Sequence, residues 1–469
     1  MMIENNILDS EVNMQEAINQ MQSFGSRTTG SKGHLAYTKW LKEKLISMGL
    51  KIQSDRYFFE RWEEKRSALY IQGEELHISS VYPYSGETGE KGITAKLVCV
   101  KNGHYHKTKG KIAVIEIDVI KKMPMGLIMD KRKGFSENAD IAAGDGDLVL
   151  TSVLKNPNLK KAKKMGAKAV ILIWKGVSDK KAEDQYLPFT DDYMGIPAIW
   201  LNQTEGKKVV AAAKERKQAT LILEAEKQEK SPTESFYVTL EGKNKSETIL
   251  VNSHTDGVNV VEENGTIGML SMIRYLMNCE LERTVVFVFI TGHFRLPVFK
   301  GTSQATSTWL MEHRDVWDKK YGKCKAVAGV TVEHLGSMEW KEDCEGHYHA
   351  TGNMQTEYTY VGNMQTGRIW EKVLAERTQT RTVVLRGHNK IQFGESQALF
   401  EAGIPVIGLI QMPDYLMAGS QSMEMEKFSV HLMREQVKSL LEAILILDKS
   451  TEKQLGKSDG YSFLFGNIR

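Results

Sequence analysis

The sequence predicts an α/β fold: a mainly parallel, twisted sheet with helices on both faces, plus a small β-rich insert. Three observations carry this. From about residue 227 onward, strand-length apolar runs ("TILVNS", "TVVFVFIT", "AVAGVTV", "IPVIGLIQ") alternate with helix-length segments such as "TIGMLSMIRYLMN" and "REQVKSLLEAILILD". From about Tyr82 the texture is different, with short β runs separated by glycine and lysine. The chain's 469 residues also exceed one typical compact core. The expected division is residues 1–81 as the first part of the main domain, 82–226 as the insert and 227–469 as the rest of the main domain, carrying the site.

The opening helix is written in "TTGSKGHLAYTKWLKEKLISMGLKI". Ser31 is its expected N-cap, Leu35, Trp40, Leu41 and Leu45 form its apolar stripe, and Gly49 stands where a C-terminal stop belongs. Strand-like "KIQSDRYFFERW" and "RSALYIQG" follow. In the insert, "GITAKLVCV" and "GKIAVIEID" read as strands, then "NPNLKKAKKMGAKAVILIWKG" as a helix and a buried strand. "MGIPAIWLNQTEGKKVVAAAKE" repeats strand then helix, and the charged "EAEKQEKSPTES" reads as an exit linker. "GNMQT" occurs at Gly352 and again at Gly362, which suggests a hairpin with similar turns.

A formal net charge of +3 argues against a nucleic-acid or membrane surface. The lysines of "LKKAKKMGAK" fit a solvated helix face. Cys99, Cys279, Cys324 and Cys344 are scattered and form no disulfide framework. The polar N-terminus lacks a secretory pattern and the apolar runs are far short of a membrane span, so a cytoplasmic protein is expected.

Ionisable residues cluster just past the ends of the strands. "TILVNS" runs into His254 and Asp256, "TVVFVFIT" into His293, and "AVAGVTV" into Glu333 and His334. Ligands bind beyond the carboxyl ends of strands in open α/β sheets, so three strands deliver these groups to one edge. Glu262 and Glu263 open the following helix, where acids are common. Asp256, Glu263 and Glu333 gathered in one cleft would repel unless a metal ion, protons or a cationic ligand joined them.

Those motifs resemble the M28 family of zinc aminopeptidases with an inserted protease-associated (PA) domain. "SFGSRTTGSKGHLAYTKWL" is similar to the family's opening loop and helix, and the block with "KKMGAKAVILI" and "GIPAIWL" to the PA insert. "SHTDG" is similar to its His-x-Asp motif, and "FEAGIPVIGLI" to its Gly-Ile-Pro strand. The resemblance implies a zinc-exopeptidase-like fold and a two-zinc site. Carried over by position, His254, Glu263 and Glu333 are the metal ligands, and Asp256 is the acid that sets the environment of His254. Where the family has a paired glutamate, this chain has His293 and Phe294, and near Leu416 and Met417 the family's last histidine is missing.

Two ligands of the second metal are therefore lost, and the expectation is one divalent ion, zinc first, with a second disfavoured. His293 would act as catalytic base or as a fourth ligand, the two being equally weighted. Glu395 would bind the substrate's charged group or serve a helix N-terminus, and His334 is expected to be structural because strand neighbours alternate faces. The expected activity is metal-dependent hydrolysis of an amide bond in a small peptide or N-acyl amino acid. The alternative is an inactive binding or scaffold protein on a peptidase fold. Expected partners are a small peptide or amino-acid-derived substrate, with neither nucleic acid nor membrane, and a homo-oligomer left open.

Overall fold

The computed structural model describes residues 8–101, 103–120, 129–136, 139, 157–298, 304–388, 392–419, 425–459, 461–462 and 466–467. Strands run in chain order as β1 (Gln53–Ile71), β2 (Glu74–Leu76), β3 (Ser80–Val81), β4 (Ile93–Cys99), β5 (Ile112–Asp118), β6 (Lys131–Phe135), β7 (Ala169–Lys175) and β8 (Ala198–Leu201). They continue as β9 (Gln218–Leu240), β10 (Asn244–His254), β11 (Arg283–Ile290), β12 (Lys325–Val332), β13 (Met338–Glu342), β14 (Tyr348–Met354), β15 (Glu357–Val361), β16 (Thr382–Arg386) and β17 (Val406–Gln411).

The centre of the main sheet is the parallel set β11-β10-β12-β17, flanked by antiparallel β9 on one side and by β15 and β16 on the other. β11 is buried at every position, and β10 and β12 along their C-terminal halves. That burial explains their near-continuous apolar runs, since a parallel sheet is covered on both faces. The helices Gly265–Leu276 and Val430–Lys449 pack against it with largely buried faces. Among the described residues, no helix is long and apolar enough to cross a membrane.

Residues 82–226 hold a second parallel set, β4-β5-β7-β8, joined to the main sheet where β4 pairs with β9, with the helices Leu159–Lys164 and Gln203–Lys214 beside them. Lys160, Lys161, Lys163, Lys164 and Lys168 are exposed, as a solvated face requires. Two features differ from the sequence reading. "EAEKQEKSPTES" is not a linker but the middle of the 23-residue β9, paired antiparallel with β1 along nearly its whole length. Its charges are complementary across that ribbon, Glu224 facing Arg66 at 3.1 Å and Glu226 facing Lys65 at 3.0 Å, so a polar run extends as a strand. Also, β6, from the insert's span of sequence, pairs with β16 at the edge of the main sheet.

Ser31 caps the helix Lys32–Ser47 by accepting from the His34 amide, and Gly49, at φ +80°, ends it. The two "GNMQT" copies are not equivalent turns. The first ends β14, while in the second Asn363 caps the helix Met364–Leu374.

Candidate metal centre

The adjacent strands β11, β10 and β12 place three turns side by side at their carboxyl ends. His254 is the last residue of β10, His293 stands three residues beyond β11, and Glu333 and His334 directly follow β12. All four are buried, as are Glu262, Glu263, Asp256 and Glu395.

The three imidazoles share one arrangement. His254 gives its Nδ1–H to the backbone oxygen of Asp256 at 2.8 Å, and His334 gives its Nδ1–H to the Gln411 carbonyl at 2.6 Å. His293 gives its Nδ1–H to the Glu395 carboxylate at 2.8 Å. A carbonyl can only accept, so the tautomers of His254 and His334 are fixed and their Nε2 lone pairs are bare. Each Nε2 turns toward a carboxylate: His254 is 3.7 Å from Glu333 Oε1, His334 is 3.7 Å from Glu262 Oε2, and His293 is 3.8 Å from Glu262 Oε1. The His254 and His293 rings lie face to face, with centroids 4.1 Å apart.

The Nε2 atoms of His254 and His334 and Oε2 of Glu262 are buried without a hydrogen-bond partner. Buried polar atoms of this kind are rare unless something else satisfies them. An imidazole anchored through Nδ1 with Nε2 left bare is how a metal-binding histidine is held. Two donor groups form, His254–Glu262–His293 and His254–Glu333–His334, each with its atoms within 4.8 Å of one another. Ligands about 2.0–2.2 Å from a zinc-sized ion stand roughly 3.4 Å apart around it, so the residues fit a divalent transition metal.

The electrostatics agree. Burial, then the neighbouring charges of His293 and His334, pushes His254 far below the usual imidazole range. Burial alone drives most of the fall of His334 to about 3. Burial first and Glu395 second raise Glu333 to about 8, and Glu262 is driven well above the carboxylate range by burial with help from Glu263, Glu333 and Asp256. His293 goes the other way. Burial opposes its charge, but the hydrogen bond and charge of Glu395, with Glu262 and Asp256 behind, hold it at about 9.

Two expectations are corrected, and a third resolves to one of its two alternatives. Glu263 lies outside both donor groups. Its carboxylate turns back to the buried Arg27, whose other nitrogens are taken by the carbonyls of Met21, Gly25 and Asn259. Its neighbour Glu262 enters the cluster instead. Asp256 does not use its carboxylate on His254; that group accepts from Thr29 and from the amides of Gly292 at 3.2 Å, His293 at 3.4 Å and Phe294 at 3.1 Å. It therefore fixes the turn that carries His293. Glu395 serves a helix N-terminus, though not that of its own helix: its oxygens hold His293 Nδ1 and the Thr306 amide in the first turn of the helix Ala305–Glu312, the latter at 2.8 Å.

Glu333 and His254 meet as expected. Both Glu333 oxygens accept from the Glu395 amide at 3.1 Å. That close approach needs Gly394, where φ is +80° and a Cβ would overlap Glu333 Oε2. The opening loop cradles the β10 turn: besides the Arg27 and Thr29 contacts, His34 Nε2 reaches Thr255 Oγ1 at 2.8 Å. Phe294 is buried against Phe189 and Tyr186 of the insert, with centroids 5.4 and 5.7 Å away. Leu416 and Met417 are buried too, their carbonyls taken by Asn259 Nδ2 and the Tyr186 amide. No metal donor comes from either place.

Sequence reasoning missed Glu262 and His334 as cluster members, and it missed Phe189, whose ring stacks on His293 with centroids 5.8 Å apart. The doubled glutamate was the only signal for the first. The second stood just past its strand, beside Glu333, but the alternation of strand neighbours set it aside.

No protein-family model matches the chain. A leucine aminopeptidase 2 from Arthroderma otae is 23% identical over 299 residues, covering 60% of this chain and 52% of that protein, so the match spans about half the relative's length. Among solved structures, a zinc aminopeptidase from Bacillus subtilis is similar with a TM-score of 0.63, at 16% identity over 94% of this chain and 97% of that one. An aminopeptidase from Aneurinibacillus sp. strain AM-1 gives 0.62 at 16% identity, covering 94% and 95%. A peptidase M28 precursor from Shewanella amazonensis gives 0.63 at 14% identity, covering 94% and 97%. The chain has the fold of the M28 zinc aminopeptidases.

Proposed function

We propose that this protein is a metal-dependent hydrolase that cleaves an amide bond in a small peptide or N-acyl amino acid, using a single-ion centre. The observation that carries the reading is the convergence of bare imidazole nitrogens and carboxylates, one oxygen of Glu262 unpartnered, at the sheet edge of an aminopeptidase fold. His254 would hold the ion, zinc first, together with Glu262 or Glu333, the carboxylates of its two donor groups. When bound, a divalent metal there supplies Lewis-acid polarisation of a carbonyl and a more acidic water.

The chain's own residues supply the rest. His293 presents Nε2 to the cluster while Glu395 anchors Nδ1, which suits a proton carrier. Asp256 locks the turn beneath it. Phe189 covers the outer face of the His293 ring and keeps that side dry. The block containing Phe189 is proposed to be a PA-like insert spanning residues 82–226, and the protein to act in the cytoplasm.

The two donor groups argue for one ion in another way. Both donor groups use His254, whose one bare nitrogen can bind a single metal. Because the family's second ion would lack its ligands at Phe294 and Leu416–Met417, ordinary free-amine recognition is not expected. Dipeptides and N-acylated amino acids should be screened against the metal-loaded protein, with and without a chelator. Chelator-sensitive turnover of either class supports the reading, and none across both classes counts against it. A non-catalytic scaffold is the second reading, favoured by the buried apolar Phe294, Leu416 and Met417. Its expected signature is full metal loading with no turnover.

A further inference from the structure

We infer that His334 is a metal ligand in its own right, giving the centre a second imidazole donor that position-by-position comparison assigns to no role. The inference rests on the single-ion reading of the site.

A residue that follows Glu333 along an extended strand should face the opposite side of the sheet. His334 does not, because its backbone sits in the left-handed region at φ +55°. Histidine adopts that conformation at a cost, and such outliers persist where the surroundings hold them. Here the kink turns His334 back so that it and Glu333 enter one donor group with His254. Its Nδ1–H is fixed by the Gln411 carbonyl at 2.6 Å, and its Nε2 is buried, unpartnered and 3.7 Å from Glu262 Oε2. Gln411 is itself held, its side chain bonding the Gln355 carbonyl at 2.6 Å and the Ser337 amide at 3.1 Å. The anchor, the strained backbone and the bare nitrogen all serve one direction of the ring. A donor set with two imidazoles and carboxylates favours zinc, cobalt or nickel over magnesium or calcium.

The test uses the full chain stripped of metal and titrated calorimetrically with zinc and, for its visible spectrum, cobalt. His334→Asn keeps a residue that tolerates the left-handed backbone, and His334→Gly removes the strain altogether. Both are expected to bind each ion about 100-fold or more weakly than the parent and to alter the cobalt spectrum. Their metal-free melting temperatures should hold steady or rise. Added imidazole should restore part of the affinity of His334→Gly. Affinities within threefold of the parent in both variants would overturn the role of His334 while leaving the single-ion reading intact. Failure of the parent itself to bind either ion would instead overturn that reading, and this inference with it.

Discussion

Glu262 and Glu263 are sequence neighbours with opposite duties, so the same substitution at each should have opposite effects. Glu262 is buried with Oε2 unpartnered, and the cationic group beside it, His293, reaches only its other oxygen, at 3.8 Å. Holding it in the metal-free fold costs several kcal/mol of lost hydration, of which Glu262→Gln should return about 1–3 kcal/mol. Glu263 is paired with the buried Arg27. Glu263→Gln leaves that guanidinium without its charge partner, a loss of about 3–5 kcal/mol. At roughly 2.1 cal/mol/K of unfolding entropy per residue, 469 residues give about 1 kcal/mol per degree, so each kcal/mol moves Tm by about 1 °C. Scanning calorimetry on metal-free protein should therefore place Glu262→Gln about 1–3 °C above the parent and Glu263→Gln about 3–5 °C below it. Zinc at about 1,000 times Kd should add roughly 4 kcal/mol, or about 4 °C, to the parent. Most of that increment should vanish in Glu262→Gln and persist in Glu263→Gln. If the increment is instead lost in Glu263→Gln and kept in Glu262→Gln, the placement of the two side chains argued above is wrong.

Stability and metal affinity should respond to pH in opposite senses. The folded-state pKa of His293, about 9, and that of Glu333, about 8, both lie above their ordinary values, so the metal-free fold binds more protons than the unfolded chain. Below about pH 6.5 the lowered His254 and His334 act in the opposite sense, so the stability should fall as pH rises from about 6.5 through 9, whereas zinc affinity should climb over the same range as ligands lose protons; urea titrations and calorimetry at several pH values would check both. His293→Ala should cut turnover about 100-fold or more and, by leaving the buried Glu395 without its partner, lower the melting temperature by about 3–5 °C. Glu395→Gln should move the His293 titration, followed by NMR in metal-free protein, from about 9 toward or below the ordinary imidazole range. Gly394→Ala should displace Glu333 and strain the backbone, weakening zinc binding and lowering stability by about 1–3 kcal/mol, measured on the same samples.

The sheet was legible because its central strands are buried on both faces and therefore read as unbroken apolar runs. His254, His293 and Glu333 were legible for a related reason: each lies just past such a run, where the topology leaves a strand end open. The misplaced glutamate shows where that reasoning stops. Between His254 and the helix at Gly265 the chain is a loop, and one residue of phase decides whether Glu262 or Glu263 faces inward. Arg27, more than 230 residues away, decides it. His334 was set aside by the alternation rule, which holds only while the backbone stays extended. The β9 ribbon misled for another reason, since its charges look like a linker until the facing strand β1 is in place.

The claim on which the rest depends is that the cluster takes up one ion through His254. Crystals of zinc-loaded protein measured at the zinc absorption edge would test it directly. The account predicts one anomalous peak within bonding distance of His254 Nε2 and of at least one of Glu262 and Glu333. Two peaks there, or a peak bonded to Glu263, would contradict it.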